Sequence, residues 1–206
     1  MRAQDRTDEA VGTTAVPDQG QLDPGSWIEV ARAAFIEGGI AAVKVDRLAR
    51  RLGVTRGSFY WHFRDRADLL ARLLDDWRVR NTQPFERIAH RTDLSGRERF
   101  MQIVDLWISE RDFDPAYDSA MRDWARVSRE AEAAVRATDD ARIGLLEEIF
   151  QAMGLVGDEA LVRARVAYFH QVGYYTLAMR ENRKRRRALV PLYVQVLAGF
   201  DPGPTV

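Results

Sequence analysis

Apolar side chains recur every three or four positions along most of the chain, which is the spacing of one face of an α-helix. In the first such segment Ile28, Ala31 and Phe35 share a face, a Ser-Trp-Ile-Glu capping box opens at Ser26, and Gly38-Gly39 closes it. The sequence shows no convincing alternation typical of a half-buried strand. The pattern therefore predicts an all-α protein of about nine helices.

Two short helices follow the first. One is expected at about residues 44–51, before Gly53. The next begins after Thr55, whose side-chain oxygen is expected to cap it, and runs to about Phe63. Asp65 is expected to cap a longer fourth helix. Two short helices around a glycine-containing turn, behind a supporting helix, are typical of a helix-turn-helix unit.

The remainder of the chain is also predicted to be helical. Several of its helix starts carry caps, which include a second capping box at Ser95 and an Asp-Pro pair at Asp114. The first 25 residues have few large apolar side chains and cannot offset the entropy lost on ordering. We therefore expect three segments: a disordered tail over residues 1–25, a helix-turn-helix DNA-binding domain over 26–80, and a helical ligand-binding and dimerisation domain over 81–206.

Composition narrows the functional classes without selecting one. The 206 residues are 46% hydrophobic and 30% charged, and they include no cysteine and no apolar run long enough to span a membrane. We therefore expect a cytosolic protein without disulfides or thiolate metal sites. The 31 basic and 31 acidic residues cancel overall. Residues 44–80 hold ten basic residues against five acidic ones, as expected of a nucleic-acid binder with a separate second module.

The segment Gly53–Phe63, GVTRGSFYWHF, crowds together more aromatic side chains than one helix face can bury. On a helix beginning near Thr55, Phe59 and Phe63 share the inward face. An arginine on the outward face can donate to guanine O6 and N7, and small residues let the backbone approach DNA in the major groove. The outward residues are Arg56, Gly57, Ser58, Tyr60 and Trp61.

Fifteen positions of this region follow one pattern without a gap: Ile28, Ala31, Phe35, Gly39, Leu48, Ala49, Gly53, Val54, Thr55, Gly57, Ser58, Phe59, Tyr60, His62 and Phe63. With this pattern, residues 27–77 resemble the DNA-binding domain of the TetR family of bacterial transcriptional regulators. The resemblance covers about a quarter of the chain. It implies a helix-turn-helix regulator that binds a double-stranded DNA operator. The helical remainder agrees with the family's larger domain in length and class.

The resemblance also implies which side chains face DNA. Those expected at the DNA surface are Thr55, Arg56, Gly57, Ser58, Tyr60 and Trp61, and those expected to contact phosphates or support such contacts are Lys44, His62 and Arg66. Lys44 departs from the family's usual Ser or Thr, so a missing helix cap and a direct lysine–phosphate contact are expected there. Asp46 would repel phosphates unless it caps the helix or pairs with Arg50.

For the larger bundle the resemblance implies a small-molecule effector and a homodimer. The residues that could line a pocket for a hydrophobic or aromatic ligand are Trp107, Phe113, Tyr117, Met121, Trp124, Phe169, His170 and Tyr174. These side chains could also be plain core, with the histidine bonded to a neighbour. The last two helices are apolar enough to need a partner, and short helix-turn-helix units generally read palindromic DNA as two-fold dimers.

Three functions are open at this point: a repressor released by its effector, a DNA-binding protein without an effector, and an enzyme built on a helical bundle. For the enzyme, Glu110 and Asp123 near Trp124 could form an acid pair. The chain has only three histidines, without metal-ligand spacing, and no phosphate-binding loop, so neither a metal nor a cofactor is expected. The basic run Arg183–Arg187 is expected to be a solvated loop rather than a nucleic-acid contact, before a last helix at about residues 188–198. The motif favours the ligand-responsive repressor.

Overall fold

The structure, a computed structural model, describes residues 23–202. Nine α-helices and one 3₁₀ turn make up this part of the chain, and it contains no strand. The elements are α1 (Pro24–Gly38), a 3₁₀ turn (Ile40–Ala42), α2 (Val45–Leu52), α3 (Arg56–Phe59), α4 (Arg66–Ala89), α5 (Gly96–Ser109), α6 (Pro115–Ala125), α7 (Arg129–Gln151), α8 (Asp158–Thr176) and α9 (Arg183–Ala198). The all-α architecture with an N-terminal helix-turn-helix is therefore confirmed. The expected disordered tail lies outside the described residues except for Asp23, which caps α1, and Pro24 and Gly25, which begin it.

The first three helices, the start of α4, α6 and the start of α7 enclose one hydrophobic core. Trp27 of α1, Phe59 of α3 and Leu69 of α4 are fully buried within it. Gly53 joins α2 to α3 with a φ of 68°, a left-handed conformation in which a side chain would be strained. The turn is therefore tight enough to bring α3 across the end of α2.

Some helix starts match the sequence prediction, and the start of α1 does not. Asp65 caps α4 by accepting a hydrogen bond from the Asp68 backbone N–H, and Ser95 opens α5 with the predicted capping box. The predicted start of α1 at Ser26 is wrong. Its helix begins at Pro24, because the Asp23 carboxylate accepts from the Ser26 backbone N–H at 2.8 Å and takes the capping position.

The third helix is shorter than the predicted Thr55–Phe63. It spans four residues, and Thr55 lies at its N-cap position without a side-chain capping bond, so that predicted bond is wrong. The helix ends at Phe59 because the chain tightens beyond it: the Tyr60 N–H donates to the Gly57 carbonyl, three residues back, at 3.1 Å. Tyr60, Trp61 and His62 therefore lie in a turn rather than on a regular helix.

A second core lies among α5, α7, α8, α9 and the end of α4. Its largest fully buried side chains include Phe85, Phe100 and Phe150. The side chain of Arg142 on α7 lies between the two cores and is 1% exposed. Within residues 23–202 every helix is too short or too polar to cross a membrane.

The charged contacts of Arg142 tie α4 to the bundle. The guanidinium donates to the Asp118 carboxylate on α6 at 2.9 Å and to the Asn81 carbonyl on α4 at 3.2 Å, and the Trp77 indole N–H donates to Asp118 at 3.1 Å. Burial alone would raise the pKa of Asp118, but Arg142 and Arg122 hold that pKa below its usual value. The position of α4, and with it the helix-turn-helix, is therefore coupled to α6 and α7.

The basic run Arg183–Arg187 is helical, so the predicted solvated loop is wrong. Asn182 caps α9 by accepting from the Arg185 backbone N–H at 2.8 Å. The Arg186 side chain turns inward and donates to the Glu110 carboxylate at 3.2 Å. The run therefore begins α9 at the Asn182 cap, and one of its arginines contacts an acidic partner at the far end of α5.

Candidate nucleic-acid interface and cavity

The side chains of α3 and of the turn that follows it divide into buried and exposed groups, as the sequence predicts. Phe59 and Phe63 are buried and their rings stack with centroids 5.0 Å apart. Tyr60 is 51% exposed and Trp61 is 73% exposed. Thr55, Arg56 and Gly57 are also exposed, and Ser58 is partly exposed, so the predicted DNA-facing residues share one accessible surface.

Arg56 is held at the centre of this surface by two neighbours. Its Nη2 donates to the Tyr60 hydroxyl at 3.2 Å, and its Nη1 lies 3.5 Å from the Asp46 carboxylate on α2. The bond to Tyr60 and the charge of Asp46 raise the pKa of Arg56. Of the two arrangements considered for Asp46, a cap of α2 or a pair with Arg50, neither forms: its carboxylate faces Arg56, and Arg50 donates to its backbone carbonyl.

The three predicted phosphate residues differ in their surroundings. Lys44 is exposed at the N-cap of α2, where no side-chain capping bond forms, as the sequence suggests. Arg66 donates to the carbonyls of Val43 at 2.7 Å and Ile40 at 2.8 Å, so it holds the chain between α1 and α2. His62 is half-buried, and its Nε2 has no hydrogen-bond partner among the described residues. Lys44 is thus free to reach a phosphate, whereas Arg66 supports the surface.

The eight predicted ligand residues do not form one pocket. Three of them, Trp107, His170 and Tyr174, line a cavity between α5, α8 and α9. Phe113 is buried in the second core, and Phe169 is 59% exposed on the outside of α8. The structure therefore does not form one pocket from these eight residues. Helical spacing in a sequence does not distinguish a cavity wall from core or surface.

The remaining three predicted ligand residues belong to α6 and pack on the helix-turn-helix. Tyr117, Met121 and Trp124 are buried in the first core, and the rings of Tyr117 and Trp124 lie 6.1 and 5.9 Å from Phe35 of α1. The Tyr117 hydroxyl also donates to the Leu73 carbonyl of α4 at 2.7 Å. These side chains join the two parts of the chain.

The sequence pattern does not predict two polar residues of the cavity. Gln171 and Arg186 line the cavity and are both buried, and Arg186 Nη2 donates to Gln171 Oε1 at 3.2 Å. Arg186 is hidden in a basic run, and its partner Glu110 lies 76 residues away, so no local pattern marks it. Burial and the charge of Arg186 lower the pKa of His170, which favours the neutral ring.

The acid pair that an enzyme could use does not form. Glu110 accepts hydrogen bonds from Arg186 at 3.2 Å and from the Tyr175 hydroxyl at 3.1 Å, while Asp123 pairs with Arg126 at 3.6 Å. In the part of the chain that the structure describes, no three His, Asp or Glu side chains are grouped so that they could hold a metal ion.

An apolar face runs along the outside of the last two helices. On α8 the side chains of Val162, Val166 and Phe169 are exposed at i, i+4 and i+7, and on α9 Leu192 and Val196 are exposed at i and i+4. The exposed fraction reaches 77% at Val196. Contiguous apolar surface of this kind typically marks an interaction site.

Sequence comparisons find relatives of the helix-turn-helix region. The family model described as bacterial regulatory proteins, tetR family, matches residues 28–73. The HTH-type transcriptional regulator TtgR of Pseudomonas putida is 46% identical over 58 residues, which make up 28% of this chain and 28% of TtgR. The chain thus matches just over a quarter of that relative's length.

Solved structures extend the likeness in fold to most of the chain. A transcriptional regulator of the TetR family from Agrobacterium tumefaciens has a TM-score of 0.69 at 16% identity, over 86% of this chain and 97% of that chain. A SmeT–triclosan complex has a TM-score of 0.67 at 20% identity, over 89% of this chain and 94% of that chain. SmeT is described as the repressor of the Stenotrophomonas maltophilia multidrug efflux pump SmeDEF.

Proposed function

We propose that this chain, which belongs to the TetR family of bacterial regulatory proteins, is a transcriptional repressor that binds a palindromic operator as a homodimer and is released by a small-molecule effector. The family consists of transcriptional regulators, not enzymes. The repressor would act in the cytoplasm, where bacterial DNA is found. It comprises a DNA-binding domain over residues 26–80 and an effector-binding and dimerisation domain over 81–206.

The exposed surface of α3 is the observation that carries DNA binding. Trp61 and Tyr60 place large aromatic area in water beside the charged group of Arg56. A free monomer gains no stability from that exposure, whereas a DNA partner would bury the rings and compensate the charge. The surface therefore supports a function in which α3 meets the major groove.

Each residue of the surface suits a particular contact with DNA. Arg56 can donate to guanine O6 and N7, while Gly57 and Ser58 let the backbone of α3 approach the base edges. The hydroxyl of Tyr60 and the ammonium of Lys44 can donate to phosphate oxygens, which positions α3 without reading sequence. Trp61 would pack against the sugar-phosphate backbone, and His62 and Arg66 would hold the surface in shape.

The test is the retention of genomic DNA fragments by the purified full chain, followed by sequencing of the retained fragments. We expect a short palindrome to be enriched by the parent chain and lost with Arg56→Ala and with Tyr60→Ala. Arg91→Ala is the matched control, because Arg91 is an exposed, ion-paired arginine just past the far end of α4. No enrichment by the parent at moderate salt, or equal enrichment by all variants, would sink the proposal.

The apolar face of α8 and α9 supports the homodimer. Its exposed valines, leucine and phenylalanine would be buried against the same face of a second chain, as in an isologous two-fold interface. Such a dimer presents two copies of α3 to one side of the DNA. Two-fold symmetry then requires a palindromic operator, with half-sites about one helical turn apart.

The cavity between α5, α8 and α9 supports an effector over DNA binding without one. Its walls are mostly apolar and aromatic and hold a few buried polar groups, as small-molecule sites do. The similar SmeT has a structure with triclosan, a small molecule. For release, the effector must bind the DNA-incompetent state more tightly than the DNA-bound state.

A further inference from the structure

The cavity between α5, α8 and α9 combines an apolar wall with a single polar corner. Its volume is about 40 Å³. The apolar and aromatic side chains around it include Val104, Trp107, Tyr174, Val190 and Tyr193. Gln171 and Arg186 supply the polar corner, and both residues are more than nine-tenths buried.

The side-chain amide of Gln171 has an unpaired hydrogen-bond donor at this corner. Its Oε1 accepts from Arg186, which fixes the orientation of the amide because a guanidinium can only donate. The amide NH₂ is then turned away from Arg186, and within residues 23–202 no group accepts a hydrogen bond from it. A buried donor left without a partner is costly, so an acceptor entering the cavity would gain from meeting it.

The charge at the corner is already compensated. Arg186 is paired with Glu110 at 3.2 Å, and its guanidinium lies over the ring of Tyr174 at 4.0 Å. A ligand carboxylate would have to compete with Glu110 for Arg186, and a ligand cation would meet Arg186 itself. An uncharged acceptor needs neither rearrangement, because it can accept from the Gln171 amide directly.

We propose that this cavity binds an uncharged aromatic molecule that carries one acceptor oxygen, which accepts a hydrogen bond from Gln171 Nε2. The inference rests on the proposed effector function and names the chemistry of that effector. A cavity of roughly 150 Å³ holds benzene. The side chains between α8 and α9 must therefore move apart to admit an aromatic molecule into the present cavity of about 40 Å³. Those helices carry the apolar face on their outer side, so the ligand acts on the geometry of the dimer.

The first test compares four probes of similar size on the full chain without DNA, by isothermal titration calorimetry. Acetophenone is neutral with an acceptor, ethylbenzene is neutral without one, benzoate is an anion and benzylamine is a cation. We expect acetophenone to bind about tenfold more tightly than ethylbenzene, which is the usual effect of one hydrogen bond, and both ions to bind more weakly than acetophenone.

Two variants place the binding in this cavity. Gln171→Leu removes the donor, so the tenfold preference for acetophenone over ethylbenzene should disappear while ethylbenzene still binds. A merely structural role for Gln171 would weaken both probes alike. Val104→Phe adds bulk to the wall and should abolish the binding of both. Gln102→Leu changes an exposed glutamine on α5 and should leave all four probes unaffected.

Three results would overturn the proposal: no probe binds at millimolar concentration, benzoate or benzylamine binds best, or acetophenone retains its preference in Gln171→Leu. None of these results depends on DNA. Failure here with a palindrome still enriched would remove the effector chemistry and leave operator binding intact. Loss of operator binding with the probe results as expected would remove the proposed repressor and leave a ligand site.

Discussion

At the scale of single residues, the shape of a side chain matters as much as its charge at Arg56. The guanidinium is poised by Tyr60 and Asp46 at the exposed surface of α3. A lysine would keep the positive charge but could not bridge the two acceptors of a guanine. The positive charge of residue 56 should therefore determine attraction to any DNA, and the planar guanidinium group should determine which DNA sequence is preferred.

For Arg56→Lys we expect binding to nonspecific DNA to be unchanged and discrimination at one base pair of each half-site to fall by about 1–3 kcal/mol. Competition between the enriched palindrome and single-base variants of it measures this loss. Arg51→Lys is the control, because Arg51 is an exposed arginine of the same unit that pairs with Glu37 at 2.6 Å. Discrimination that survives intact in Arg56→Lys would show that this residue does not read a base.

His170 is a second case in which surroundings decide the chemistry. Burial and Arg186 lower its pKa below the usual 6.5, so the unfolded chain binds the proton more readily than the folded chain. Stability from this group is present above pH 6.5 and is lost as the pH falls through the window below 6.5. The melting temperature of His170→Phe should therefore fall less than that of the parent between about pH 7.5 and pH 5. Parallel melting curves for the two proteins would contradict this.

At the scale of secondary-structure elements, the buried Arg142–Asp118 pair fixes α4 against α6 and α7. Removing one partner leaves the other charge buried without full compensation. For Arg142→Met we expect the free energy of unfolding to fall by about 3 kcal/mol, since Arg122 still neutralises part of Asp118. Urea denaturation measures this, with the exposed Arg136→Met on the same helix as the control. A loss no larger than in the control would mean that the pair does not hold α4.

Local signals predicted the helices whose ends are set by nearby residues. Asp65 and Ser95 cap the helices that they were expected to cap, because both bonds close within three residues. The start of α9 carries a local cap at Asn182, but the inward turn of the Arg186 side chain depends on Glu110, a partner brought close only by the fold. The length of α3 differs from the prediction because the backbone after Phe59 bonds to carbonyls three residues back, a tightening that helical periodicity does not indicate.

The functional site also contains residues that local spacing predicts and residues that only the fold brings together. The aromatic crowding of residues 53–63 predicts that some of these side chains face outward, because one helix face cannot bury them all. The cavity was predicted only at Trp107, His170 and Tyr174. Its polar corner depends on contacts among three helices, which are far apart in the chain, so spacing alone could not find Gln171 or Arg186.

At the scale of the whole molecule, binding to a palindromic operator requires two chains joined along α8 and α9. A charge at the centre of that face would be buried without a partner in the dimer. We therefore expect Phe169→Glu to be monomeric by light scattering at about 10 μM, where the parent is dimeric. Val127→Glu, an exposed apolar position away from this face, should remain dimeric. A dimeric Phe169→Glu would place the interface elsewhere.

The geometry of the dimer sets the distance between the two α3 helices, and this distance must match the spacing of the two half-sites. Hydroxyl-radical footprinting of the enriched palindrome by the full chain measures that spacing. We expect two equivalent protected patches, centred about one helical turn apart and both lost in Arg56→Ala. A single patch, or two patches that persist in Arg56→Ala, would contradict a symmetric dimer that reads DNA through α3.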